Sequence, residues 1–167
     1  MLPLKNYSKR GPYDELSTPG TALKYLVQFV PKDLIVWEPC PGKLRLVAHL
    51  INNGYFVRWR DLDALKWEPI CWDIAITNPP FSKKHLFLER FDGLKKPYAL
   101  LLPVTTLGVK RCQPYLKESE IIFLPKRIDF TGKKAPWFAV AWFTKGLNIG
   151  KQMIFMEDYS DKEKLYR

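Results

Sequence analysis

The stretch Asp73-Ile74-Ala75-Ile76-Thr77-Asn78-Pro79-Pro80-Phe81 begins as a strand and ends in a corner. Its first residues are apolar or β-branched, the composition of a strand buried inside a sheet. Two consecutive prolines then donate no backbone N–H and fix two φ angles, so strand pairing has to stop there. The chain thus ends a buried strand by presenting an amide and an aromatic ring on a rigid backbone that lacks donors.

Strand and helix patterns alternate around this corner. Residues 1–17 are polar and interrupted by Pro and Gly, which predicts an irregular arm. Leu23, Leu26, Val27 and Val30 recur at helical spacing and predict a helix over 19–30, with Thr18 as N-cap and Pro19 in its first turn. Residues 34–37 read as a buried strand. Residues 43–53 read as a helix with Leu44, Val47, Ala48 and Ile51 on one face and Gly54 closing it. Strands are expected at 55–60, 73–77 and 98–102, and Ser82 is expected to cap a helix carrying Leu86, Phe87, Arg90 and Phe91. Late strands at 120–124 and 137–143, with no helix pattern between them, predict an antiparallel edge. The alternation in the first two-thirds predicts an α/β fold with a mostly parallel sheet and helices on both faces.

A chain of 167 residues, 47% of them hydrophobic, can bury a core as one domain without disulfides or metals. Cys40, Cys71 and Cys112 are odd in number and lack C-x-x-C spacing, so neither a disulfide framework nor a zinc site is expected, and a reducing compartment is. The first residues lack the apolar stretch of a signal peptide and no apolar run is long enough for a bilayer. The expectation is an intracellular, cytoplasmic protein. The net charge is +10, with paired bases at Lys83-Lys84, Lys95-Lys96, Lys110-Arg111, Lys126-Arg127 and Lys133-Lys134. Each pair alone is an ordinary solvated surface; the total favours a polyanion, and nucleic acid over a membrane.

In open parallel sheets ligands bind beyond the carboxyl ends of the strands. Three clusters fall at such ends: Glu38-Pro39-Cys40-Pro41-Gly42, then Asp61 and Asp63, then Asn78 to Phe81. The glycine of the first cluster permits close approach to the backbone, and the helix start that follows exposes unpaired N–H groups. Its single glycine matches neither a dinucleotide fingerprint nor a P-loop. A carboxylate where the second strand ends, Asp61, typically receives ribose hydroxyls. Taken alone, the first two clusters could be plain turns and the third a Pro-Pro strand stop with a buried Phe. In the third, the Asn78 amide oxygen and the proline carbonyls accept hydrogen bonds, which suits an amino group with two N–H donors, while Phe81 can stack on a flat ring.

These residues resemble the adenosylmethionine-dependent amino-group methyltransferases, whose corner signature is [NDS]-P-P-[FYW], and among them the adenine-specific DNA methyltransferases. Thr18-Pro19 is similar to the family's amino-terminal cofactor motif, and Glu38-Pro39-Cys40-Pro41-Gly42 to its acidic-Pro-x-x-Gly loop. Asp61 is similar to the ribose-binding acid, and Asp63-Ala64-Leu65 to a shortened acidic motif. Residues 99–103 resemble the strand after the catalytic helix. Arg127-Ile128-Asp129-Phe130, through Trp137 to Phe143, resembles the late loop and hairpin strand. The ordered set covers residues 13 to 144 or thereabouts. The family loop usually has a second glycine, where this chain has Lys43-Leu44-Arg45.

The resemblance implies a Rossmann-like class I methyltransferase fold with an antiparallel edge hairpin, and S-adenosylmethionine as cofactor. It implies that Thr18, Pro19, Glu38, Pro39, Cys40, Gly42, Asp61, Asp63 and Asn78 hold the cofactor. Asn78, Pro79, Pro80 and Phe81 become the catalytic residues, acting on the exocyclic amine of adenine in double-stranded DNA. Phe81, Lys133, Lys134 and Trp137 are the expected substrate contacts. Alternatives are an adenine or guanine amine in RNA, a glutamine amide in a protein, or a degenerate fold that binds nucleic acid without catalysis. Residues 1–167 are expected to be a single catalytic domain with little length left for target recognition, so that the target is read by short loops, by a homodimer partner, or hardly at all.

Overall fold

The computed structural model describes residue 14 and residues 16–130 and 137–156. Strands β3 (Ile74–Thr77) and β4 (Tyr98–Pro103) are buried at every position, as apolar runs covered on both faces require. They form the centre of a sheet completed by β1 (Ile35–Glu38), β2 (Phe56–Trp59), β5 (Glu120–Phe123), β6 (Val140–Lys145) and β7 (Met153–Phe155). The order is β2-β1-β3-β4-β6-β5-β7. The pairs β2–β1, β1–β3 and β3–β4 are parallel, and β6 runs antiparallel to both β4 and β5.

Helix α1 (Gly20–Leu23) precedes β1; α2 (Arg45–Asn52) links β1 to β2, α3 (Lys84–Leu94) links β3 to β4, and α4 (Gln113–Leu116) precedes β5. From β1 the chain steps outward to β2, and from β3 it steps the opposite way to β4. Right-handed crossovers in opposite directions carry helices to opposite faces, and the direction reverses between β1 and β3. The ladder there pairs Val36 with Ile74 and Trp37 with Ala75. Trp37, fully buried, packs on Trp72 at 5.0 Å and Phe91 at 5.5 Å between ring centroids. The aromatic cluster fixes the two strands whose ends carry the conspicuous loops.

Several boundaries differ from the sequence reading. The helix expected over 19–30 is a single turn, Gly20–Leu23, followed by a 3-10 turn, Val27–Phe29. Pro19 occupies the N-cap in place of Thr18, and its carbonyl accepts from the Ala22 N–H at 3.1 Å. Ser82 does not cap a helix from its amino end; it lies in the 3-10 turn Phe81–Lys83, and α3 starts at Lys84. The buried face of α3 is Phe87, Leu88 and Phe91, whereas Leu86 and Arg90 are half-buried. The antiparallel strands β6 and β5 lie towards one side of the sheet as expected, and β7, three residues parallel to β5 that the sequence reading did not contain, adds the last strand beyond them. No helix among the described residues is long and apolar enough to cross a membrane.

Candidate functional site

The carboxyl ends of β1 and β3 sit side by side where the winding reverses, and a cavity of about 320 Å³ opens there. Glu38, Cys40 and Gly42 line it from the loop after β1, Asp61 from the loop after β2, and Asn78 and Pro80 from the corner after β3. Thr18, buried, lines it from the segment before α1. Seven of the residues singled out from sequence therefore meet around one space.

Glu38 is the last residue of β1 and is fully buried; its Oε1 accepts from the Cys40 N–H at 2.8 Å. The turn that follows brings Gly42 to φ +48°, and no Cβ contact closer than 3.8 Å would block a side chain there. Leu44 is the N-cap of α2 and takes φ +60°, ψ +11°, the left-handed conformation that glycine adopts at no steric cost. The Leu44 N–H donates to the Pro41 carbonyl at 2.7 Å. The loop thus keeps a glycine-like path where the family pattern has a second glycine.

At the corner, the Asn78 amide is held from one side. Its Nδ2 donates to the Leu16 carbonyl at 2.8 Å, while its Oδ1 is buried with no hydrogen-bond partner among the described residues. Asp14 reinforces the contact, accepting from the Ser82 N–H at 3.0 Å and the Ser82 hydroxyl at 2.5 Å. Asp14, Leu16, Lys43 and Arg45 also line the cavity and were not among the residues expected from sequence. The contacts of Asp14 and Leu16 join segments more than sixty residues apart, 14 to 82 and 16 to 78, and no local spacing announces them.

The other expected residues lie beside the cavity. Asp63 is buried, and its Oδ1 accepts from the Leu65 N–H at 3.1 Å, fixing a turn. Of the two acids after β2, Asp61 faces the cavity. Pro19, Pro39 and Pro79 support the wall without lining it. Phe81 is 7% exposed and meets Phe138 edge to face at 5.9 Å; Phe138 meets Trp137 in the same way at 5.6 Å. Trp137 is 73% exposed, so an aromatic row leads from the corner to the surface. Lys133 and Lys134 lie outside the described residues.

A basic rim adjoins the corner. His85, the second residue of α3, is held below the ordinary imidazole value by burial first and then by Arg111, Lys84 and Lys83, with Glu89 opposing. Arg111 follows the 3-10 turn after β4, and β4 neighbours β3, so these cations collect at adjacent strand ends.

No family model matches the chain, and no curated protein matches it in sequence. Solved structures do. A provisionally assigned RNA methyltransferase of Pyrococcus horikoshii is similar with a TM-score of 0.56 at 14% identity, over 84% of this chain and 89% of that one. The 23S rRNA methyltransferase ErmE gives 0.55 at 12% identity, over 96% and 75%. The modification subunit of a provisionally assigned type I restriction enzyme of Vibrio vulnificus YJ016 gives 0.50 at 15% identity, over 93% of this chain and 53% of that one. The likeness, together with the strand order, identifies the architecture as the Rossmann-like fold of these methyltransferases.

Proposed function

We propose that this protein transfers a methyl group from S-adenosylmethionine to the exocyclic amino group of adenine in DNA. The observation that carries the reading is the Asn78 Oδ1 atom, buried in a cavity wall without a donor among the described residues. An unpartnered buried acceptor costs about 1–3 kcal/mol, and an amine N–H removes that cost. The Leu16 carbonyl engages the nitrogen of the amide and so leaves the oxygen as the acceptor for the amine in this reading.

The cavity walls fit the cofactor's parts. Asp61 offers a carboxylate to ribose hydroxyls, and the turn through Gly42 leaves backbone open to close approach. Thr18, Glu38 and Cys40 complete the wall that would hold it. When bound, it supplies an electrophilic methyl group. Asn78 would hold the amine by one of its protons and leave the nitrogen lone pair free for the donor, while Pro79, behind the wall, stiffens the corner. The nitrogen becomes acidic as its new bond forms, so its proton can pass to solvent and no strong base is needed.

Trp137, exposed at the end of the row that runs from Phe81 through Phe138, offers aromatic surface for a base extruded from the duplex, which costs a few kcal/mol to unstack. Lys83, Lys84 and Arg111 lie where the flanking phosphates would run, and Lys133 and Lys134 are proposed to extend these contacts. A second reading, an adenine or guanine amine in RNA, draws support from the two RNA methyltransferases among the similar structures.

The test is to incubate the protein with methyl-labelled S-adenosylmethionine and separate pools of unmethylated DNA, RNA and protein. Label in DNA is expected. Label in RNA alone selects the second reading, and label nowhere, without cofactor binding by calorimetry, overturns both.

A further inference from the structure

The amide of Asn78 is oriented by a distant part of the chain. Its Nδ2 donates at 2.8 Å to the Leu16 carbonyl, sixty-two residues earlier, and its Oδ1 is the buried acceptor left for a ligand. Turning the amide over would set two acceptors against each other at Leu16 and put two donors where the unpartnered acceptor now lies. Two residues before Leu16, Asp14 grips the turn after the corner through both carboxylate oxygens, on the Ser82 N–H and hydroxyl. The segment is thus fastened on both sides of the Pro-Pro step, 16 to 78 and 14 to 82, and the Leu16 side chain packs on the core.

We propose that Asp14 and Leu16 together form a positioning strap whose Leu16 carbonyl locks the Asn78 carboxamide, so that position 78 works as an amide and fails as a carboxylate. The inference rests on the functional reading above, in that Oδ1 is taken as the amine acceptor. Leu16 and Asp14 act through Asn78 and Ser82; they are positioning residues. An aspartate at 78 has the same shape as asparagine but nothing to donate. It would press a negative oxygen against the Leu16 carbonyl, and the carboxylate would swing away from its productive orientation. Protonation restores the donor: the carboxylic O–H can bond to Leu16, and its carbonyl oxygen then accepts from the amine.

The deciding experiment is the pH profile of methyl transfer by Asn78→Asp beside wild type. The variant is expected to lose about 100-fold at pH 8, as removal of a buried partner implies. It should recover at least about tenfold relative to wild type as the pH falls towards its carboxyl pKa, which burial raises above about 3.9. A variant within about threefold of wild type at pH 8, or one whose profile runs parallel to wild type, overturns the lock. Hydrogen exchange of the Asn78 carboxamide protons, followed by NMR, decides the strap without any activity. Asp14→Ala should speed that exchange by at least about tenfold and Asp14→Asn should leave it near wild type. Equal exchange in Asp14→Ala and wild type overturns the strap. Absence of methyl transfer by wild type would overturn the functional reading alone, because the exchange result stands by itself.

Discussion

Leu44 is held in a conformation its side chain disfavours. A left-handed backbone costs an L-residue about 1–2 kcal/mol, and Leu44 at φ +60° is also 39% exposed, so little burial offsets the strain. Leu44→Gly should therefore leave stability within about 1 kcal/mol of wild type despite losing a leucyl side chain. Truncating the fully buried Leu50 to Ala should cost about 2–5 kcal/mol. Urea unfolding of the two variants makes the comparison; a loss above about 2 kcal/mol for Leu44→Gly would show that the side chain matters more than the strain. At this scale much was legible. The acidic-Pro-x-x-Gly loop and the Asn-Pro-Pro-Phe corner are contiguous in sequence, and backbone stiffness keeps them so in space. The Asn78 amide's orientation was not legible, because its partner is a backbone carbonyl in a segment without a pattern. Nor was the burial of Phe81 against Phe138, a contact made only by the finished fold.

Among the elements, α1 and α2 meet through one unusually close approach. A Cβ built at Gly20 would lie 2.8 Å from the His49 ring, so the ring must move before any side chain fits. Gly20→Ala should thus cost about 1 kcal/mol by displacing the half-buried His49 ring, read as a lowered urea midpoint with unchanged slope. A second prediction concerns the β4–β6 seam. Tyr98 and Lys145 are partners in its register, and Lys145 also bonds to Asp92 and Glu118. Burial pushes the Tyr98 phenol up to about 12 from 10.0, and does the same to Tyr55, whose hydroxyl donates to the Val30 carbonyl at 2.9 Å. The Lys145 ammonium is raised first by Asp92, against the opposing effect of burial. In all three the folded state holds its proton more tightly than the unfolded chain. The stabilisation from the two tyrosines is therefore complete below about pH 10 and lost as the pH rises from there through about 12. Urea midpoints measured from pH 9 to 12 should fall steadily, and the fall should flatten in the Tyr55→Phe, Tyr98→Phe double variant. A steep fall unchanged by that variant would assign the alkaline transition elsewhere. Period and turn signals made most strands legible. They failed for the split α1 region, where apolar spacing suited to one long helix is satisfied by two short turns. They also failed for β7, which is too short to carry alternation.

For the whole molecule, the order of strands decides where chemistry can occur. The reversal of winding between β1 and β3 brings Glu38 and Asn78 to one cavity, although forty residues separate them in sequence. The sequence alone implied this, since alternating strands and helices make a parallel sheet and such a sheet has one functional rim. The charge of +10 gives the account a further consequence. If Lys83, Lys84 and Arg111 contact phosphates, the logarithm of affinity for duplex DNA should fall linearly with the logarithm of salt concentration. The slope should shrink by about 0.9 for each of the three neutralised as Gln. An unchanged slope in the triple variant would put the phosphates on another face. The central claim, that the buried Asn78 oxygen receives a nucleobase amine at a cofactor-bearing cavity, meets its most direct test in one paired measurement. Unmethylated DNA is treated with wild type or Asn78→Ala in the presence of S-adenosylmethionine, digested to nucleosides and analysed by mass spectrometry, with cofactor affinity determined in parallel. The account predicts N6-methyladenine with wild type, none with the variant, and cofactor affinity within about threefold, because one hydrogen-bond acceptor near the donor is removed. N6-methyladenine formed equally by both proteins, or cofactor binding lost together with activity, would contradict it.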